Sequence, residues 1–334
     1  MPNPLPVAEW LEVIRKEYLG RFIRDGGAAV RFVVVPDASI AGQFDEEIRL
    51  AAVDERYLCA LVDSSRIRVQ WIDKIFNCVA TQVDWRELAR LYVTRLLREA
   101  QYAVSDDGAG LRLSALAALN GCDERDMRVI VNGRLRDSLT RDYWLTQEFR
   151  FAMTWLCREQ IDPGDVPAGL TDSILDWLAG NLRLVSALKQ ALIFQKIGRH
   201  NARQMLFSLA RWLHKCGYSG LVLVLNLEAV LLESRRSSEE RLRYSGSAVL
   251  DTYETLRQFV DSTGELGHTM VFVVVPPSFV DPDERRGVHA YTALRDRVLT
   301  EVRDSRIQNP LASQVTLGGS EAGPMRAKKE THEY

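Results

Sequence analysis

Two stretches of the chain carry residues at spacings suited to phosphate chemistry. The first, Asp37-Ala-Ser-Ile-Ala-Gly42-Gln43-Phe44, follows a β-branched run from Ala28 to Val35 that Pro36 stops. It falls in register with G-x-x-x-x-G-K-[ST], in which glycines let backbone N–H groups wrap the phosphates, Lys neutralises them and the hydroxyl holds Mg²⁺. Only Gly42 meets that pattern: Asp37 replaces the first Gly, Gln43 the Lys and Phe44 the hydroxyl. A carboxylate repels a polyphosphate and a neutral amide cannot restore the missing charge, each lost charge-assisted bond being worth about 1.5–3 kcal/mol. An ordinary strand-to-helix loop is the plainer reading of these residues. The second stretch, Gly220-Leu-Val-Leu-Val-Leu-Asn226-Leu227-Glu228, ends an apolar run where triphosphate chemistry calls for an Asp to hold Mg²⁺ and a Glu to activate water. Asn226 and Leu227 occupy those two positions. Glu228 shares a face with Asn226 if the strand continues, and replaces the acid only after a register change.

Other chemistries have less behind them. No G-x-S-x-G occurs, and His200, His214, His268, His289 and His332 lack an obvious nucleophile partner. The five cysteines, Cys59, Cys78, Cys122, Cys157 and Cys216, are scattered and form no C-x-x-C, a reduced pattern without a zinc site or disulfide framework. Forty-three basic against 45 acidic residues leave a net charge of −2 in 334 residues, so any contact with nucleic acid is a local patch and not a global field. The N-terminus carries no basic, apolar leader, and no apolar stretch is long enough to cross a membrane. The sequence thus predicts a soluble cytoplasmic protein with no metal site.

The elements that must position these residues follow from periodicity. Val7 to Arg24 reads as a helix with Trp10, Leu11, Ile14, Tyr18, Leu19 and Phe22 on one face, packed on the domain or on a partner. A helix is expected from Asp45 to about Arg56, and a strand at Tyr57 to Asp63. Helices over Gln70 to Val79 and Trp85 to Glu99 complete a β-α-β order that demands a parallel sheet. From Leu111 to Cys216 no strand is expected, only helices, with Trp144, Trp155 and Trp177 as core or interface residues. Beyond Asn226, a further strand is predicted at Thr269 to Val275, a helix from His289 to about Asp304, and an edge strand from Ala312 to Leu317. Arg235, Arg236, Arg241 and Arg243, with Arg285 and Arg286, could grip nucleic acid, though the interspersed Glu233, Glu239 and Glu240 favour a solvated loop.

Taken in order, the blocks Ile197-Gly-Arg-His-Asn-Ala202, Gly217-Tyr-Ser-Gly-Leu-Val-Leu-Val-Leu225, Leu256-Arg-Gln-Phe-Val-Asp261, Met270-Val-Phe-Val-Val-Val275-Pro-Pro-Ser-Phe279, Leu294-Arg-Asp-Arg297 and Asn309-Pro-Leu-Ala-Ser-Gln-Val315 resemble the BREX (bacteriophage exclusion) ATP-binding P-loop family, BrxC/BrxD-like. The resemblance is one of ordered blocks in the C-terminal 140 residues and is looser before them. It implies an α/β fold, a P-loop NTPase-like (AAA+/ASCE type) parallel sheet flanked by helices. The expected division is an N-terminal helix over 1–27, the first part of the α/β domain over 28–110, a helical insertion over 111–216, the second part over 217–317 and a disordered tail over 318–334. It further implies that Asp37, Gly42, Gln43, Phe44, Asn226, Leu227, Glu228 and Arg297 make up a degenerate nucleotide site, Arg297 standing where such proteins contact a neighbour's phosphate unless it pairs with Asp296 or Glu301. The implied protein is a pseudo-ATPase, a structural or regulatory subunit of an anti-phage assembly, with other defence proteins or its own copies as partners. An ATP-binding protein with a non-standard site, retaining ATP and Mg²⁺, is the alternative, and a DNA-binding adaptor a third. The strand ending at Asn226 is expected beside the one ending at Val35.

Overall fold

The apolar runs become strands, and the continuous ones lie deepest. A computed structural model describes residues 3–105, 111–232, 242–299 and 308–319. Among them β1 (Leu5–Pro6), β2 (Ala28–Val34), β3 (Tyr57–Asp63), β4 (Gly220–Asn226), β5 (Thr269–Val275) and β6 (Gln314–Gly318) form one sheet in the order β1-β6-β2-β5-β4-β3. Every neighbouring pair is parallel. All seven residues of β5 are buried, and it holds in-register ladders to β2 on one edge and β4 on the other. A strand without a free edge or a wet face must be central, so β5 separates the strands ending at Asn226 and Val34. The expectation that those two are neighbours is corrected on this point, although they share a sheet.

Chain direction across the sheet decides which face each helix covers. From β2 the chain runs to β3 at the far edge through α2 (Ala38–Asp54). It then returns through β4 and β5 and passes β2 to reach β6. Right-handed crossovers in opposite directions place their helices on opposite faces. One face, Val33, Val222, Val224, Phe272 and Val274 among it, is therefore covered by α2 together with α1 (Val7–Ile14) and its π-helical continuation Arg15–Phe22. The other, with Phe32, Leu221, Leu223, Leu225 and Val273, takes the remaining helices.

Those helices are α3 (Ile72–Ala80), α4 (Trp85–Glu99), α5 (Leu113–Leu119), α6 (Glu124–Leu135), α7 (Gln147–Ile161), α8 (Leu170–Leu178), α9 (Ala202–Lys215), α10 (Glu228–Leu231), α11 (Gly246–Asp261), α12 (Thr263–Leu266) and α13 (Thr292–Val298). The described residues from 111 to 216 contain no strand. Trp177 is buried there and Trp155 half-buried, but Trp144 is 75% exposed, against its expected place in the core or at an interface. It stands ahead of α7, where the backbone is not yet helical, and Arg211 lies over its ring at 5.2 Å. β6 runs through Gly318, and residues 320–334 of the expected tail lie outside the described residues.

Candidate functional site

In a parallel sheet ligands collect at the carboxyl ends of the strands where the winding direction reverses. Here that point is the end of β2 beside β5, where the Val35 N–H donates to Val275 O at 2.9 Å. Two features remove the usual donors. Pro36 on one side and Pro276 and Pro277 on the other carry no N–H. The link from β2 to α2 is only Val35, Pro36 and Asp37, because the helix starts at Ala38.

This early start corrects the expected onset at Asp45 and has a local cause. Asp37 is extended and its Oδ1 accepts the N–H groups of Ser39 at 2.9 Å and Ile40 at 3.0 Å, which makes it the N-cap of α2. An internal carboxylate thus takes the helix-terminal donors that would otherwise face a phosphate. Gly42, Gln43 and Phe44 consequently sit inside the helix. Apart from its chain neighbours and the helix's own backbone, nothing lies within 4 Å of a Cβ placed on Gly42, so neither packing nor a turn demands glycine there. Gln43 Nε2 donates to Glu47 Oε1 at 2.7 Å, one turn on. Phe44 is fully buried, its ring centroid 6.1 Å from Trp10 and 5.5 Å from Phe272, on the face away from the β2–β5 crevice that a Mg²⁺ ligand would have to reach.

The second stretch is also committed. Asn226 closes β4, and its Oδ1 accepts the N–H of Glu228 at 2.9 Å. Leu227 is fully buried. The strand stops at Asn226, so Glu228 starts α10, exposed, and does not share the strand face of Asn226. Arg297 pairs not with Asp296 but with Asp261 of α11, its Nη2 at 3.0 Å from Oδ2, and this contact holds the Asp261 carboxyl below its usual range, while Glu301 lies outside the described residues. Among the basic residues, Arg286 Nη1 donates to the carbonyls of Val230 and Leu232 at 3.2 Å each, fastening the end of α10, while Arg285 is exposed. Arg243 lends its carbonyl to Arg68, and Arg235, Arg236 and Arg241 lie outside the described residues.

Three residues at this end of the sheet escaped the sequence reading. Asp63, in register with Asn226 on β3, accepts the Ser65 N–H at 2.8 Å and the Ser65 hydroxyl at 2.7 Å. Ser64 is buried, with a hydroxyl that finds no partner among the described residues. The Tyr244 hydroxyl lies 2.9 Å from Ser64 O and 2.7 Å from Ile67 O, and burial raises its pKa. The signal was the Asp63-Ser-Ser string, an Asx turn in waiting. Tyr244 gave none.

No group of metal-ligating side chains occurs among the described residues, and no helix described is long and apolar enough to cross a membrane. All five cysteines are free thiols, Cys157 and Cys216 buried. Comparisons with curated proteins and with solved structures give no match. The family model for the BREX system ATP-binding protein BrxC/D matches residues 121–326, which take in β4, β5 and β6 but not the strand and helix around Asp37. With the parallel sheet of a P-loop NTPase-like fold and a match over more than half of its length, the chain belongs to the BREX system ATP-binding protein BrxC/D family.

Proposed function

We propose that this protein is a catalytically degenerate member of its family, a P-loop-like subunit with a structural or regulatory role in a BREX system. The observation that carries the reading is the closed link between β2 and α2. Its three residues offer a proline and an N-capping carboxylate where a phosphate loop would present N–H groups and a lysine. Asn226 and Leu227 add to it, since neither supplies a carboxylate to anchor Mg²⁺ or to orient water. Asp37, Gly42, Gln43, Phe44, Asn226, Leu227 and Glu228 are then the remnant of a nucleotide site. Arg297, tied to Asp261, joins α13 to α11 instead of reaching a neighbour.

Membership implies other proteins of the system as partners, and with no carboxylate at Asn226 or Leu227 the proposed role is binding them and not turnover. The test is phosphate release from Mg-ATP by the full chain, alone and with other BREX proteins. Release at the level of buffer is expected. Turnover by the chain alone that disappears in Glu228→Gln would overturn the reading in favour of an ATPase with a non-standard site.

A further inference from the structure

A cavity of about 600 Å³ opens in the helical segment, away from the sheet edge, between α6, the π-helical turn Arg136–Thr140, α7 and the 3-10 segment Val185–Ala191. Its volume is in the range that takes small-molecule ligands. No Asp or Glu lines it, whereas Arg128, Arg136 and Arg158 do. Arg128 is held by Asp162 at 2.7 Å and by Asp165 at 3.7 Å, and Arg136 lies 3.5 Å from Asp137. For Arg158 no carboxylate partner occurs among the described residues. Its guanidinium rests over the Trp155 ring at 5.1 Å, and its Nε is buried without a hydrogen-bond partner. A buried donor left unmatched is costly, and an anion in the cavity would satisfy it.

The remaining walls suit a flat apolar body. Phe151 and Trp155 line the cavity, and at its rim Val129 and Leu192 are 69% and 53% exposed. Leu192 holds a left-handed backbone at φ 57°, a conformation that Leu seldom adopts outside functional or strained sites. Gly133 lies on the wall within α6, and a Cβ added there would meet nothing within 4 Å. Glycine inside a helix weakens it, and packing does not require it here. The open space does, if a ligand approaches the backbone.

We infer that this cavity is a nucleoside-phosphate site, separate from the remnant at the sheet edge. The phosphate would lie on Arg158, with Arg136 and Arg128 beside it, and the base against Trp155 and Phe151. The inference reaches beyond the degenerate-site reading, and the two fail separately. ADP and AMP are titrated calorimetrically into the full chain and into Gly133→Leu, Arg158→Gln and Asp37→Ala. Gly133→Leu fills the open space without touching a charged group and replaces a helix-weakening residue by a helix-favouring one, so its melting midpoint should be held or raised.

Saturable binding by the unaltered protein is expected, weakened at least about tenfold by Gly133→Leu and by Arg158→Gln and unchanged by Asp37→Ala. A folded Gly133→Leu that binds as the parent does would overturn the inference. So would saturable binding tightened by Asp37→Ala and untouched by Gly133→Leu, since removing the carboxylate that repels phosphate acts only at the sheet-edge site, and this would reopen that site. A single-stranded oligonucleotide that binds and is blocked by Gly133→Leu, when neither mononucleotide binds, would replace the free nucleotide with a nucleic-acid strand and sink the proposal as stated.

Discussion

At the residue scale, the candidate phosphate loop is a set of side chains with other employment. Asp37 caps a helix, Gln43 reaches along it to Glu47, and Phe44 plugs the core between Trp10 and Phe272. Restoring the motif by Gln43→Lys, Phe44→Ser and Asn226→Asp is therefore expected to damage the protein without reviving it. Truncating a buried Phe costs about 3–5 kcal/mol, and the new hydroxyl would be buried unpaired. Leu227 would still lack the carboxylate that orients water. Denaturant unfolding of Phe44→Ser alone should show this loss, and a change below about 1 kcal/mol would mean that Phe44 is not packed as described. Asp37→Ala should cost about 1 kcal/mol, the worth of a helix cap, and leave phosphate release at background. With the helical cavity filled by Gly133→Leu, Mg-ATP is expected to bind no more tightly than about 1 mM, equivalent to roughly 4 kcal/mol. Micromolar affinity in that background would show a working site at the sheet edge.

At the element scale, β5 meets α9 through two imidazoles. His214 in the last turn of α9 and His268, one residue before β5, stack with centroids 4.0 Å apart and planes 14° from parallel. Burial lowers the pKa of both. Arg95 and then Lys215 lower that of His214 further, and the His214 ring and then Arg211 do the same for His268. Histidines kept neutral in the fold but free to protonate when unfolded contribute stability that is complete above the unfolded value of about 6.5. It is lost as pH falls from there through the lowered folded values. The melting midpoint should drop by a few degrees between neutral and mildly acidic pH. That slope should flatten in His268→Asn, which tolerates the positive φ of 50° at this position. An unchanged slope would remove the pair from the pH response. This contact was not legible in the sequence, since nothing local to either His points to the other. The strands were: Tyr57–Asp63 and Thr269–Val275 are bounded where their apolar runs stop. The start of α2 was legible too, in Asp37 followed by Ile40, Phe44, Ile48 and Ala52 at helical spacing, and was obscured only by expecting a loop. β1, two residues long, leaves no pattern to read, and the spacing that marks a helix from Val7 to Arg24 does not show that its second half is π-helical. Which strand stands beside which depends on long crossovers, the one from β3 to β4 running from residue 64 to residue 219, and periodicity carries no such information.

At the scale of the whole molecule, the sheet divides the interior into two unequal cores, and the smaller depends on the first 27 residues. Trp10 is its keystone: fully buried, 5.8 Å from Phe272 and 6.1 Å from Phe44 by ring centroids, with its Nε1 donating to Pro310 O at 2.8 Å. One side chain thus joins α1, α2, β5 and the approach to β6, so the N-terminal helix is part of the α/β body and not a free arm awaiting a partner. Trp10→Ala should cost about 3–5 kcal/mol, a large share of the 5–15 kcal/mol that a folded protein typically commands. Trp177→Ala, in the larger core, should cost a similar amount. Trp144→Ala is the internal control, because an exposed ring gives up little beyond its contact with Arg211 and should stay within about 0.5 kcal/mol. Urea unfolding of the three variants beside the parent separates the cases, with a lowered midpoint and an unaltered slope expected for Trp10→Ala. If Trp10→Ala instead matches Trp144→Ala, the first helix is a dispensable cover. The face formed by Phe272, Val274 and Val224 would then have to be protected by something other than this chain's own N-terminus.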